Sequence, residues 1–174
     1  MITRELTTAT GGLLLAVALT VTGCATDTAQ EVSASSSAQT SSVQVVQTLP
    51  LGTAADITTA GSVASYTVGD WRPVPPDAQI IPAKGAMYSV DVTVVARTGT
   101  TTVNGFYFAA RTADNAWVAP AVGAVRPGIT YGQLEQGQTV RGIVAFDLAP
   151  GTGVIGVALR DPEGKQLAFW AISG

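Results

Sequence analysis

From Ser62 onward the chain is cut every few residues by Gly, Pro, Asn or Asp, and between the cuts apolar side chains return at every second position. The clearest run is Met87-Tyr88-Ser89-Val90-Asp91-Val92-Thr93-Val94. In an extended chain Tyr88, Val90, Val92 and Val94 fall on one side, and Ser89, Asp91 and Thr93 on the other. No segment after residue 24 sustains the 3.6-residue period of an amphipathic helix. Short alternating runs between turn residues are the pattern of an all-β sandwich.

Other runs repeat the pattern. Residues 102–111 place Phe106, Phe108 and Ala110 on one face. Residues 139–148 put Val140, Val144, Phe146 and Leu148 inward, with Arg141 and Asp147 outward. Residues 154–159 and 166–172 are strands joined by Asp161-Pro162-Glu163-Gly164, where Pro in second and Gly in fourth place suit a type I turn. Residues 62–68 are a further candidate strand. Gly151-Thr152-Gly153-Val154-Ile155-Gly156 spells the dinucleotide fingerprint, but that fingerprint opens a helix and needs an acidic residue about 20 positions on. Here it precedes strand, turn and strand, so it reads as a tight turn leading into a strand.

The N-terminus carries an address. Residues 11–21 are an apolar run, which at ~1.5 Å rise per residue spans about 16 Å, roughly half a hydrocarbon core. Residues 1–23 therefore read as a secretion signal and not as a membrane span. The run ends in Val21-Thr22-Gly23-Cys24, which resembles a bacterial lipobox. That resemblance implies acylation of Cys24 and cleavage before it, with the lipid bilayer as partner. Two or three acyl chains anchor stably where one is marginal. Of the 26 residues 25–50, 6 are Ser, 4 Thr, 4 Ala and 4 Gln, and none is aromatic. Such a stretch buries too little apolar surface to offset ordering entropy. Residues 24–50 read as a lipidated Cys followed by a flexible tether reaching on the order of 28 Å. The alternative for residues 43–46 is an early strand. Residues 51–174 are left for one domain, long enough to bury a core.

The short stretches Tyr66-Thr67-Val68-Gly69-Asp70-Trp71, Ala110-Arg111-Thr112-Ala113-Asp114 and Gln136-Gly137-Gln138-Thr139, with residues 142–148 and Phe169-Trp170, carry a resemblance. In order and spacing the domain resembles the mycobacterial immunoprotective extracellular protein family. The resemblance implies an immunoglobulin-like antiparallel β-sandwich of about 7–8 strands. It also implies a small secreted antigen domain of the actinobacterial envelope with no assigned enzymatic activity and no catalytic residues to carry over. The lipobox and tether set this chain apart as a surface-anchored form.

Composition narrows the chemistry. The 174 residues include no His and one Cys, with a net charge of −3 and a sequence pI of about 4.7. That removes Ser-His-Asp and Cys-His catalysis, His-containing metal sites and any intrachain disulfide. The acidic balance argues against nucleic acid as partner. No cofactor or metal is expected. The acidic residues are scattered singly, whereas calcium needs several converging oxygens. Trp71 and Trp170 read as core. Trp117, after the turn residues Asp114-Asn115, is the candidate for an exposed ligand-stacking aromatic. Arg97 and Arg111 flank a predicted hairpin turn at residues 98–101 and are candidates for an anion-binding patch. The bland reading of both is surface ion pairing.

The expected function is a non-catalytic binding module anchored in the cell envelope, on the outer face of the cytoplasmic membrane, with an envelope or host protein as partner. The alternative is a carrier of a lipid or other hydrophobic ligand, which needs a cavity of about 300 Å³ or more. An enzyme would have to run on paired carboxylates, and no two are suggestively placed.

Overall fold

The computed structural model describes residues 46–172. The predicted signal, Cys24 and nearly all of the predicted tether lie outside the described residues. Twelve strands follow one another along the described chain. The first four are β1 (Thr48–Pro50), β2 (Ala54–Thr59), β3 (Ser62–Val68) and β4 (Arg72–Pro73). Next come β5 (Ala86–Thr98), the longest, then β6 (Thr101–Val103), β7 (Phe108–Thr112) and β8 (Trp117–Val118). β9 (Gly132–Leu134), β10 (Thr139–Leu148), β11 (Val154–Arg160) and β12 (Gln166–Ala171) follow.

Two five-stranded sheets form a sandwich, as expected of an immunoglobulin-like fold. One has the order β1-β12-β11-β7-β8; the other has β10-β5-β3-β2, with β4 paired to β5. β6 and β9 make a separate two-stranded ribbon. Every strand pair is antiparallel except β1 with β12, which runs parallel. The alternating faces read from the sequence meet in the core. Val90, Val92 and Val94 of β5 and Phe146 of β10 come from one sheet; Phe108, Val157, Leu159 and Trp170 come from the other. Trp170 is fully buried, and its indole Nε1 donates to the Thr53 carbonyl at 2.7 Å. Trp71 is half-buried and stacks on Tyr88, with ring centroids 5.2 Å apart and planes 7° apart.

The structure departs from the sequence reading in several places. The sheet begins at Thr48, three residues before the expected domain start at Leu51, because Leu49 pairs with Trp170 and packs on the core. Of the suggested strand at residues 43–46, only Val46 is described, and it is in no strand. β2 was not evident in the sequence, since only Ala55 and Ile57 supply its inward side. Residues 102–111 are not one strand. Asn104 Oδ1 accepts from the Phe106 N–H at 3.0 Å and starts a 3-10 turn at Gly105–Tyr107. β6 before this turn and β7 after it belong to different sheets. Phe106 is thereby turned outward and is 66% exposed, while Phe108 is 1% exposed. Gly105 is needed there: a Cβ would run into the Ile129 carbonyl oxygen.

Residues 98–101 are likewise a crossing between sheets and not a hairpin. β5 ends at Thr98, and Thr101 pairs instead with Leu134 of β9. The side of β5 assigned to solvent is partly covered. Ser89 is 2% exposed, and Met87 joins Ala145, Ala124 and Val125 in a second small apolar cluster. Residues 121–129 close that side and the edge of β10. Ala121 N–H donates to Ala145 O at 2.7 Å, and Ile143 N–H donates to Pro127 O at 2.7 Å. An edge strand covered this way offers no free ladder to another chain.

Candidate functional site

The outer face of the first sheet holds the candidate site, and its construction starts from one hairpin. β7 turns into β8 through Ala113 to Ala116. The Thr112 N–H donates to Ala116 O at 3.0 Å, and the Ala116 N–H donates to the Thr112 hydroxyl at 2.9 Å. The Thr112 hydroxyl in turn donates to Asp114, which holds that carboxyl below its usual range. Asn115 takes a positive φ of 73°, which Asn tolerates better than most residues. Its Oδ1 accepts from the Arg111 Nε at 2.7 Å. The hairpin thus fixes Arg111 directly opposite Trp117 in the register.

Alternation along β7 and β11 sends Phe108, Ala110, Val157 and Leu159 into the core and Ala109, Arg111, Ala158 and Arg160 to the outer side. The small Ala109 and Ala158 make a low floor. Over it sits Trp117, 37% exposed, with the Arg111 guanidinium 4.2 Å from its ring centroid and the Arg160 guanidinium 5.1 Å from it. Arg160 Nε also donates to the Gly164 carbonyl at 2.9 Å, which ties it to the Asp161–Gly164 turn. That turn closes by the Gly164 N–H to Asp161 O bond at 3.0 Å. Asp161 Oδ1 caps it by accepting from the Lys165 N–H at 2.7 Å.

Two clefts meet at this end of the sandwich, and both open to solvent. The first, about 420 Å³, lies between Trp117, Phe106 and Arg160. The second, about 280 Å³, lies between Ile57, Tyr66, Leu159 and Leu167. Tyr107, Arg160, Asp161 and Pro162 line both. Burial, with a smaller contribution from Tyr107, pushes the Tyr66 hydroxyl up to about 12. The Tyr66 phenol therefore stays neutral at physiological pH.

Of the residues singled out from sequence, Trp117 and Arg111 come together. Arg97 does not join them, since it lies exposed on β5 in the other sheet. Arg160, Phe106 and Tyr107 were not read as site residues. Their only sequence signal is a Phe-Tyr pair after Asn104-Gly105, which a strand reading absorbs. Among the described residues no three acidic, His or Cys side chains converge to hold a metal. Ser62, Ser65 and Ser89 are buried in strands, and Lys84 is exposed. Gly156, the last glycine of the fingerprint-like run, lies in mid-strand under the Phe169 ring, and Gly151 makes the turn before it with φ 79°.

The family described as a domain of unknown function, DUF1942, matches residues 46–170. The chain belongs to this family. The fold of this DUF1942 domain matches the crystal structure of a secreted protein of Mycobacterium tuberculosis, MPT63, with a TM-score of 0.64 and 24% identity. That match covers 74% of this chain and 99% of the other. The yjhA protein of Bacillus subtilis matches at a TM-score of 0.52 and 14% identity, over 64% of this chain and 81% of its own. A candidate lipoprotein of Bacillus subtilis, ycdA, matches at 0.51 and 15%, over 72% of this chain and 39% of its own. These likenesses establish the fold, and the first agrees with the antigen family that the short sequence motifs resembled. None of the curated proteins compared with the chain matches it.

Proposed function

We propose that this protein is a lipoprotein of the cell envelope, held at the outer face of the cytoplasmic membrane by acylated Cys24, and that its DUF1942 domain is a non-catalytic binding module. The Trp117 face is its binding surface. One observation carries this reading: two guanidinium groups share one exposed indole, and among the described residues neither is ion-paired to a carboxylate. Like charges held together without a counter-ion lower stability, and an anionic group on a partner would relieve that cost. Phe106 beside it adds an exposed aromatic surface of the kind that anchors interfaces. The lipobox at residues 21–24 and the candidate lipoprotein among the structural matches support the anchor.

The test is a photo-crosslinking amino acid placed at Phe106 and, as a control, at Thr58 on the exposed edge strand β2, in intact cells. A discrete crosslinked species from position 106, absent from position 58 and lost with Trp117→Ala, is expected. Equal labelling from both positions would overturn the reading. Detergent phase partitioning of wild type against Cys24→Ala checks the anchor. A wild type found in the aqueous phase removes it.

A further inference from the structure

We infer that the two adjoining clefts form one bipartite site for an anionic single-chain amphiphile, a hydrocarbon tail bearing a carboxylate or phosphate head. The inference rests on the binding reading above and names the ligand chemistry for it.

The second cleft offers the tail its place. Ile57, Leu159 and Leu167 supply apolar walls, and it lies between strands of the two sheets beside the core. Its volume of about 280 Å³ is small for a drug-sized ligand but suits an extended chain of modest length. Arg160 stands on the wall shared with the first cleft, so a tail lying among the leucines brings its head to the guanidinium. Among the described residues the Arg160 side chain has one hydrogen-bond acceptor, the Gly164 carbonyl at Nε, which leaves its terminal nitrogens as donors toward an anion. Arg111, over the same indole, adds the second positive charge.

Among the described residues the one acidic side chain on the shared wall is Asp161, whose Oδ1 accepts from the Lys165 N–H. Trp117 acts as a positioning residue that holds the guanidinium groups by cation–π contact. Its ring is already covered in part by arginine, which disfavours a stacked sugar there and favours an anion.

Isothermal titration of the full chain carrying Cys24→Ala, so that no acyl group of its own competes, separates the parts of the site. The probes are decanoate, decyl phosphate, decanol and inorganic phosphate. Decanoate and decyl phosphate should bind, with decanol weaker by about tenfold and inorganic phosphate weaker still. Stronger decanoate than decyl phosphate binding identifies a carboxylate head; the reverse order identifies a phosphate. Arg160→Gln should cost the anionic probes about tenfold and leave decanol unchanged. Ile57→Thr, compared at a temperature where its circular dichroism shows the native fold because Ile57 also packs on the core, should weaken all three tailed probes. No binding by any tailed probe, or anionic binding indifferent to Arg160→Gln, would overturn the assignment. If crosslinking from position 106 still yields its partner in that case, the binding module stands and only the amphiphile falls.

Discussion

At the scale of single residues, neighbours on one strand have opposite meanings. Val92 is 1% exposed in the core, whereas Asp91 lies outside and pairs with Arg72 of β4, one contact being 2.7 Å. Val92→Asp should unfold the domain, since burying an unpaired carboxylate costs several kcal/mol of a total of about 5–15. Asp91→Asn should cost no more than about 1 kcal/mol, because the pair is solvent-screened. Urea midpoints of the two variants check both. The hydrogen bond from Arg72 lowers the Asp91 pKa, so its contribution is present above the unfolded value and fades as pH falls through the folded one. Tyr66 works in the other direction. Its hydroxyl is pushed from 10.0 to about 12, so the unfolded chain loses this proton first. Stability should therefore decline between about pH 10 and 12, by roughly 2–3 kcal/mol in all. Urea midpoints over that range measure it, and Tyr66→Phe should flatten the decline. An unchanged slope in that variant would assign the titration elsewhere. The inward faces of β5 and β10 were legible because alternation alone determines them. Arg160 was not, because its role depends on Trp117, 43 positions away in the sequence and adjacent only across three strands.

At the scale of elements, the sequence shows long strands and hides short ones. β5 and β10 announce themselves by repeated alternation, while β1 offers only Thr-Leu-Pro and β2 only two inward residues. For β1 the contact with Trp170 decides, and no local pattern encodes it. A chain beginning at Leu51 should consequently be less stable than one beginning at Val46, by about 1–2 kcal/mol for the loss of the partly buried Leu49. Equal melting temperatures would mean that β1 adds nothing. The break at Gly105–Tyr107 escapes a strand reading for a related reason. Phe106 fits the alternation, and only the approach of Ile129 makes the glycine before it obligatory. Gly156 is the same kind of position within β11. Adding a Cβ meets the Phe169 ring and the Trp170 carbonyl, so Gly156→Ala should cost about 1–3 kcal/mol by thermal melt. The fingerprint-like spelling around it reflects a positive-φ turn at Gly151 and a close approach at Gly156 that coincide in sequence.

At the scale of the whole domain, the core and the Trp117 surface lie on opposite faces of the same sheet, so stability and binding at that surface should be separable. β1, where the described chain enters, and β8, which carries Trp117, are the two opposite edges of that sheet. Four strand spacings of about 4.8 Å put them roughly 19 Å apart. A pull through the N-terminal segment therefore acts on the edge remote from Trp117. The arginines contribute to the site and little to the core. Each makes one side-chain anchoring contact, Arg111 to Asn115 and Arg160 to Gly164, and each repels the other across the Trp117 ring. Losing an exposed hydrogen bond at Arg111 and a part-buried one at Arg160 is offset by relieving a like-charge pair, effects of similar size and opposite sign. Arg111→Gln with Arg160→Gln should thus leave the urea midpoint unchanged within about 0.5 kcal/mol, as for ordinary surface substitutions. The same double variant should lose the crosslink from position 106. If instead it unfolds the domain, the two guanidinium groups are structural clamps of the hairpin and the turn, and the site has to be sought away from Trp117. If it stays folded and keeps its partner, charge is not what the face recognises.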